Sequence, residues 1–257
     1  MMVRIINISS GKGGVGKTTV AANLGIALKK HFNKVAVIDF NITTSHLGIY
    51  FDIFSSRITL NNFLRNEAKI EDAIYTHNSG LDVVPASLRV NDIVNVDVSN
   101  LKQKLKEAFR DYDIVLLDSA PGLGREALIA LQASDEVIFV ANPHIPSIVD
   151  IEKCLQVIER INSGPRPIGI VLNRVRNKNY ELTNDEVRQF LNLPIIGIIP
   201  EDEEILASFN KSVLVAASKK KTNAKKAFLK LAAKLSGSKY EYGFWERFKR
   251  AFKKDNI

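Results

Sequence analysis

A doubly wound α/β fold, with a mostly parallel sheet flanked by helices, follows from three observations in this sequence. Short Val- and Ile-rich runs alternate with segments of helical periodicity, several of those runs are apolar throughout, and a glycine-rich loop, GKGGVGKT, separates the first run from the first helical segment. A strand that is apolar at every position has both faces covered, the condition of a parallel sheet sandwiched between helix layers. Alternation with helices then makes a right-handed βα array the natural architecture.

The runs, in order, are VRIINIS (3–9), VAVID (35–39), LDVVPA (81–86), DIVLLDS (113–119), EVIFVAN (136–142), PIGIVLN (167–173) and PIIGIIP (194–200). Helical patterns are expected at about 17–31, 100–110, 125–133, 146–161 and 183–191, and SKKKTNAKKAFLKLAAKLSG (218–237) reads as a last core-packing helix with a solvated basic face. There is no internal repeat. The one weak break is SGSKYEYG (236–243), which divides residues 1–236, the α/β domain, from residues 237–257, a flexible linker and tail.

With 257 residues and 46% apolar content, the chain can bury one substantial core. Its single cysteine, Cys154, excludes a disulfide framework and any Cys-rich metal site within one chain, and reads as a buried helix cysteine. The four histidines show no metal-ligand spacing. No signal peptide and no run of the roughly 18 apolar residues needed to span a bilayer is visible, which points to the cytoplasm. Charge is uneven. Residues 211–257 hold 14 Lys/Arg against 3 Asp/Glu, or +11, so the rest carries −3 of the net +8. A basic field of this kind attracts polyanions, either nucleic acid or an anionic lipid surface.

The glycine-rich loop fits the pattern G-x-x-x-x-G-K-[ST] with Gly11, Gly16, Lys17 and Thr18 in the fixed places. Gly11, Gly13, Gly14 and Gly16 let the backbone wrap so that N–H groups from Lys12 through Val15 to Thr19 point at phosphate oxygens. Lys17 reaches the β and γ phosphates, the Thr18 hydroxyl is a magnesium ligand, and the helix that starts there adds its positive end. Lys12 is a second lysine that such a loop does not require. It can neutralise more charge within its own subunit or reach a nucleotide held by a facing one, and spacing does not decide between them.

KGGVGKT resembles the deviant Walker A motif of the MinD/ParA family. VAVID with FNITTSHL is similar to that family's first switch, VLLDSAPGLG to its second, and VLNR (171–174) with IPED (199–202) to the segments that frame the adenine. The likeness covers nearly the whole chain and is closer to the MinD branch than to the partition ATPases. It implies an ATPase using ATP and Mg²⁺, with Asp39 and Asp118 joining Thr18 around the metal and Asn173, Arg174, Pro200 and Glu201 near the base. It also implies that Lys12 contacts the phosphates of ATP in a partner subunit, so that nucleotide binding and homodimerisation are one event. Iron–sulfur assembly relatives share the loop but depend on a CxxC absent here.

One position departs from that pattern. The family's first switch reads D-x-D, and its second aspartate orients or activates the attacking water; this chain has Asp39, Phe40, Asn41. Asparagine cannot accept a proton as a carboxylate does. A neutral amide can still position water, so Lys12, Lys17 and Asn41 are taken as the catalytic set, with slow hydrolysis expected. His46 can stand in as a base but reads better as a polar switch-loop residue, and His144 reads as a surface or partner-facing substitution.

GFWERFKRAFKK (243–254) is the second informative stretch. On a helical wheel Phe244, Trp245, Phe248 and Phe252 share an arc of about 120°, opposite Arg247, Lys249, Arg250 and Lys253. That is the pattern of a helix lying in a membrane interface. Partial burial of its aromatics yields ~4–7 kcal/mol and each base near an anionic surface adds up to ~1 kcal/mol, against the cost of folding an isolated short helix. One tail binds weakly; two on a dimer raise avidity by roughly 10²–10⁴. The resulting expectation is a nucleotide-switched protein, peripheral on the cytoplasmic membrane face, that positions an unidentified protein cargo or activator. The alternatives are a partition factor whose basic tail binds DNA and a binding module that scarcely hydrolyses ATP.

Overall fold

In chain order the elements are β1 (Arg4–Ser9), α1 (Lys17–Leu28), β2 (Val35–Phe40), α2 (Leu47–Tyr50), α3 (Leu60–Leu64), a 3₁₀ turn (Ile70–Ala73), β3 (Tyr75–Thr76), β4 (Asp82–Val84), α4 (Leu101–Ala108), β5 (Ile114–Ser119), α5 (Arg125–Gln132), β6 (Glu136–Ala141), α6 (Ile145–Arg160), β7 (Arg166–Val175), α7 (Asn184–Leu191), β8 (Ile195–Pro200), α8 (Glu203–Phe209) and α9 (Asn223–Leu235). The computed structural model describes residues 2–54, 56–89, 97–161, 163–209, 213–238 and 240. The amphipathic stretch expected at 243–254, with Phe244, Trp245, Phe248, Phe252 and their flanking bases, lies outside the described residues.

All seven expected strands are present, and with the unexpected two-residue β3 they form one sheet in the order β3-β4-β2-β5-β1-β6-β7-β8. Every neighbouring pair is parallel except β3 with β4. The doubly wound reading therefore holds. The continuous apolar runs have the expected cause: Ile6 and Ile8 of β1 pack with α1 and α9 on one face, while Ile5 joins the layer that holds α3, α4 and α5 on the other. Residues of β6 and β7 meet α6 and α7 in a third cluster.

α1 is buried almost all round, from Thr19 to Leu28, because it lies between the sheet and α9. A helix with two apolar neighbours needs no polar stripe, which explains its uniformly small and apolar sequence. Asn23, one of its buried polar residues, donates to Thr19 O at 2.9 Å and accepts from Ala216 N at 2.9 Å. Those bonds fix the 214–216 segment on α1.

β1 is flanked by β5 and β6, while the connection that leaves it leads outward to β2. Strand order reverses there, and in an open α/β sheet the crevice at the carboxyl ends of such strands is where ligands bind. The loop at residues 10–16 leaves β1 at that point. Among the described residues no helix is long and apolar enough to cross a membrane. α9 ends in a cap at Ser236, and the Tyr240 ring returns to lie 5.6 Å from Lys230 Nζ.

Candidate functional site

The loop after β1 is held from three sides. Within it, the Ser10 hydroxyl donates to Lys12 O at 2.7 Å. From the loop after β5, Gly122 N donates to Ser10 O at 2.9 Å. From β7, the buried Asn173 amide donates to Val15 O at 2.7 Å. Gly16 caps α1 at φ 94°, a left-handed conformation that L side chains rarely adopt, and a Cβ there would lie 2.3 Å from Asn173 Nδ2. Gly11 admits no side chain either, since a Cβ would stand 2.3 Å from Asp150 Cβ of α6. Sequence and packing thus demand glycine at both fixed places of the loop.

Lys17 opens α1 and turns inward, with 8% of its surface exposed. Burial lowers its pKa, and the carboxylate of Asp118 opposes that shift. Lys12 is half-buried at the loop's rim, and its side chain makes no hydrogen bond or ion pair among the described residues. The two lysines therefore differ in environment. One is built into the floor, and the other remains available to a charge arriving from outside.

Asp39 and Asp118 sit opposite one another in the β2–β5 register, both buried. Their oxygens are used differently. Asp39 accepts from Ser45 Oγ at 2.7 Å and Leu47 N at 3.0 Å through one oxygen and from Asn41 N at 3.1 Å through the other, so it shapes the loop that follows β2. Both oxygens of Asp118 are buried without a hydrogen-bond partner among the described residues. Desolvation raises the pKa of each, and for Asp118 the neighbouring Asp39 charge raises it further, while Thr18 and Lys17 act in the opposite direction. An unpaired buried carboxylate is costly, and a cation beside it removes the cost. Asp118 and Thr18 are hard oxygen donors at the helix start, a set that suits Mg²⁺, which takes few protein ligands and keeps waters and phosphate oxygens.

Asn41 is closed on its own turn: its Nδ2 donates to Thr44 O at 2.8 Å and its Oδ1 accepts from Thr44 Oγ1 at 3.0 Å. His46 and His144 are exposed at the starts of α2 and α6, where their backbones cap the helices. Cys154 is buried, and burial pushes its thiol up to about 11, so it is an inert core residue.

Asn173, Arg174, Pro200 and Glu201 come together with Thr19 around a cleft of about 740 Å³, closed on one side by Ile205 and Leu206 of α8. Arg174 takes a left-handed φ of 56°, and Arg176 grips Glu201 through Nη2 at 2.9 Å and through Nε. Asn173 was expected at a base edge; its amide nitrogen is committed to the phosphate loop, so it links the loop to the cleft. Sequence reasoning missed α8, which lines this cleft, as well as Tyr50, whose hydroxyl lies 3.2 Å from Thr19 Oγ1, Ser45 in the loop after β2 and Glu126 in the first turn of α5. Only Ser45 carried a usable signal, a small hydroxyl residue following the aspartate-bearing strand end.

The family model described as an AAA domain matches residues 3–167. An uncharacterised ATP-binding protein of Methanocaldococcus jannaschii is 37% identical, over 94% of this chain and 90% of that protein. The chain belongs to the MinD/ParA family of P-loop ATPases. Among solved MinD/ParA structures, the septum site-determining protein MinD of Pyrococcus horikoshii, complexed with Mg-ADP, is 31% identical with a TM-score of 0.85, covering 91% of this chain and 96% of that one. MinD from the MinC:MinD complex of Aquifex aeolicus is 27% identical with a TM-score of 0.82, covering 93% and 98%. The two lysines of the loop, the paired aspartates and the cleft beside Thr19 thus lie within a chain that shares the MinD fold over nearly its full length.

Proposed function

We propose that the chain is an ATP-dependent dimerising switch that carries its C-terminal helix to an anionic membrane and there positions another protein. MgATP sits on the loop at residues 11–19, with Lys17 on its β and γ phosphates, Thr18 and Asp118 toward the metal and the adenine in the cleft beside Asn173, Arg174, Pro200 and Glu201. Asp39 holds the first switch loop in register with the metal site. ATP bound in one copy draws Lys12 of a second copy onto its phosphates, so the sandwich forms with ATP and loosens after hydrolysis. Slow turnover follows from Asn41, which orients water without taking its proton.

The observation that carries this reading is the contrast between the lysines: Lys17 is buried in the floor, whereas Lys12 stands at the rim with no partner among the described residues. The MinC:MinD complex of A. aeolicus supports a protein as the cargo. Nucleotide switching then controls membrane affinity by valency, since two weak anchors on one dimer bind as a pair.

Co-sedimentation tests it. With vesicles rich in phosphatidylglycerol, the full chain is expected to pellet at least tenfold more with MgATP than with MgADP, and removal of residues 241–257 is expected to abolish the effect. Binding to duplex DNA, with no vesicle binding, would instead establish the partition-type reading.

A further inference from the structure

The loop after β2 and the helix after β5 are joined by a contact that none of the nucleotide motifs explains. The Thr43 hydroxyl donates to Glu126 Oε1, across 83 residues of sequence. Thr43 lies inside the turn that Asn41 and Thr44 close on each other. Glu126 is in the first turn of α5, directly after the loop that follows Asp118 of β5 and carries Gly122, and a helix start favours a carboxylate there. Its second oxygen, Oε2, is buried and takes no hydrogen bond among the described residues. The carboxylate therefore has capacity to strengthen its hold on a neighbouring donor.

Asp39 holds the same loop at both ends, accepting from Asn41 N at its start and from Ser45 and Leu47 at its close, so Thr43 projects from the middle of the held turn. The Thr43 contact adds a third tie, and it is the one that joins the turn to the helix after β5. A hydroxyl donating to an ionised carboxylate makes a stronger bond than a neutral pair does, so the contact suits a latch.

We propose that Glu126 is a positioning residue for ATP hydrolysis, latching the Asn41 turn to the Asp118 loop through Thr43 so that the two loops bordering the γ-phosphate are ordered together. The inference rests on the reading of this site as one that binds and hydrolyses MgATP. It assigns to an otherwise unexplained carboxylate the task of holding a weak water-positioning residue in place. Small displacements of a positioning group are expensive, about 10²-fold for 1 Å.

The test uses the full chain with Thr43→Val, Glu126→Gln, both together, and Thr43→Ser. Each of the first two is expected to slow single-turnover hydrolysis about tenfold while MgATP affinity stays within about threefold of the parent. The double variant is expected to be no slower than either single, because both remove one contact, and Thr43→Ser to keep the parent rate. Amide exchange of residues 40–46 in the MgATP-loaded protein is expected to quicken in the two single variants and not in Thr43→Ser. Parent-like rates in both singles, losses that multiply in the double variant, or unchanged exchange at 40–46 would overturn the latch. Should the parent itself show no hydrolysis, the ATPase reading fails, and the exchange of residues 40–46 alone decides the latch.

Discussion

Lys17→Ala is expected to weaken MgATP binding by about 10²–10³-fold and to abolish measurable hydrolysis, the loss typical of removing one preorganised charge donor from a phosphate site. The reason lies in where the ammonium sits. Lys17 is the first residue of α1, it is nine-tenths covered, and it faces the buried carboxylate of Asp118. Among the described residues no other lysine is buried, and Lys12 at the rim cannot replace it. Without Lys17, the charge of Asp118 also loses a compensating neighbour, so a magnesium ion brought by the nucleotide has to offset more repulsion. Titration with a fluorescent ATP analogue measures the loss directly, and a thermal midpoint near that of the parent separates it from unfolding. An affinity within threefold of the parent would mean that the phosphates bind elsewhere.

Asn41→Asp is expected to act in the opposite direction, raising the single-turnover rate about 10²-fold, at the lower end of what a positioned general base contributes because in the proposed mechanism the amide already orders water. The local cost is small. Thr44 Oγ1 can donate to the new carboxylate as it does to Asn41 Oδ1, whereas the bond from Nδ2 to Thr44 O is lost, at about 1 kcal/mol. Two further effects should accompany the faster chemistry: a shorter-lived ATP dimer and weaker steady-state recruitment to vesicles. A rate unchanged by the substitution would show that the proton is taken elsewhere and that residue 41 does not limit turnover.

Much of this was legible in the sequence because the informative features are local. Each buried parallel strand carries a full run of β-branched and aliphatic residues, so β1, β2 and β5 through β8 were placed within a residue or two. The phosphate loop was legible because wrapping a chain around phosphates requires glycine at set positions, and Gly16 shows that requirement in its φ of 94°. Short elements were not legible. β3 has two residues, and α2 and α3 have four and five, too few for a periodicity to register. α8 was missed because its apolar face is brief and partly exposed, yet it closes one wall of the cleft.

Partnerships across the fold were the least legible. Asp39 and Asp118 were singled out as equivalent metal-site carboxylates, but only the loop geometry reveals that Asp39 spends its acceptors on Ser45, Leu47 and Asn41 while Asp118 keeps its own unpaired. The resemblance implies a place for Asn173 near the base, and the tertiary contact with Val15 shows its amide nitrogen bracing the phosphate loop. The Thr43–Glu126 contact follows from neither motif nor spacing, since each residue alone resembles an ordinary polar surface position.

The central claim is that ATP joins two copies of this chain through Lys12, and the mass of the protein in solution tests it. Light scattering of the full chain is expected to give a dimer with MgATP and a monomer with MgADP. Lys12→Ala is expected to remain monomeric with MgATP while still binding it. A parent chain that stays monomeric with saturating MgATP, or a Lys12→Ala variant that dimerises as the parent does, would contradict it.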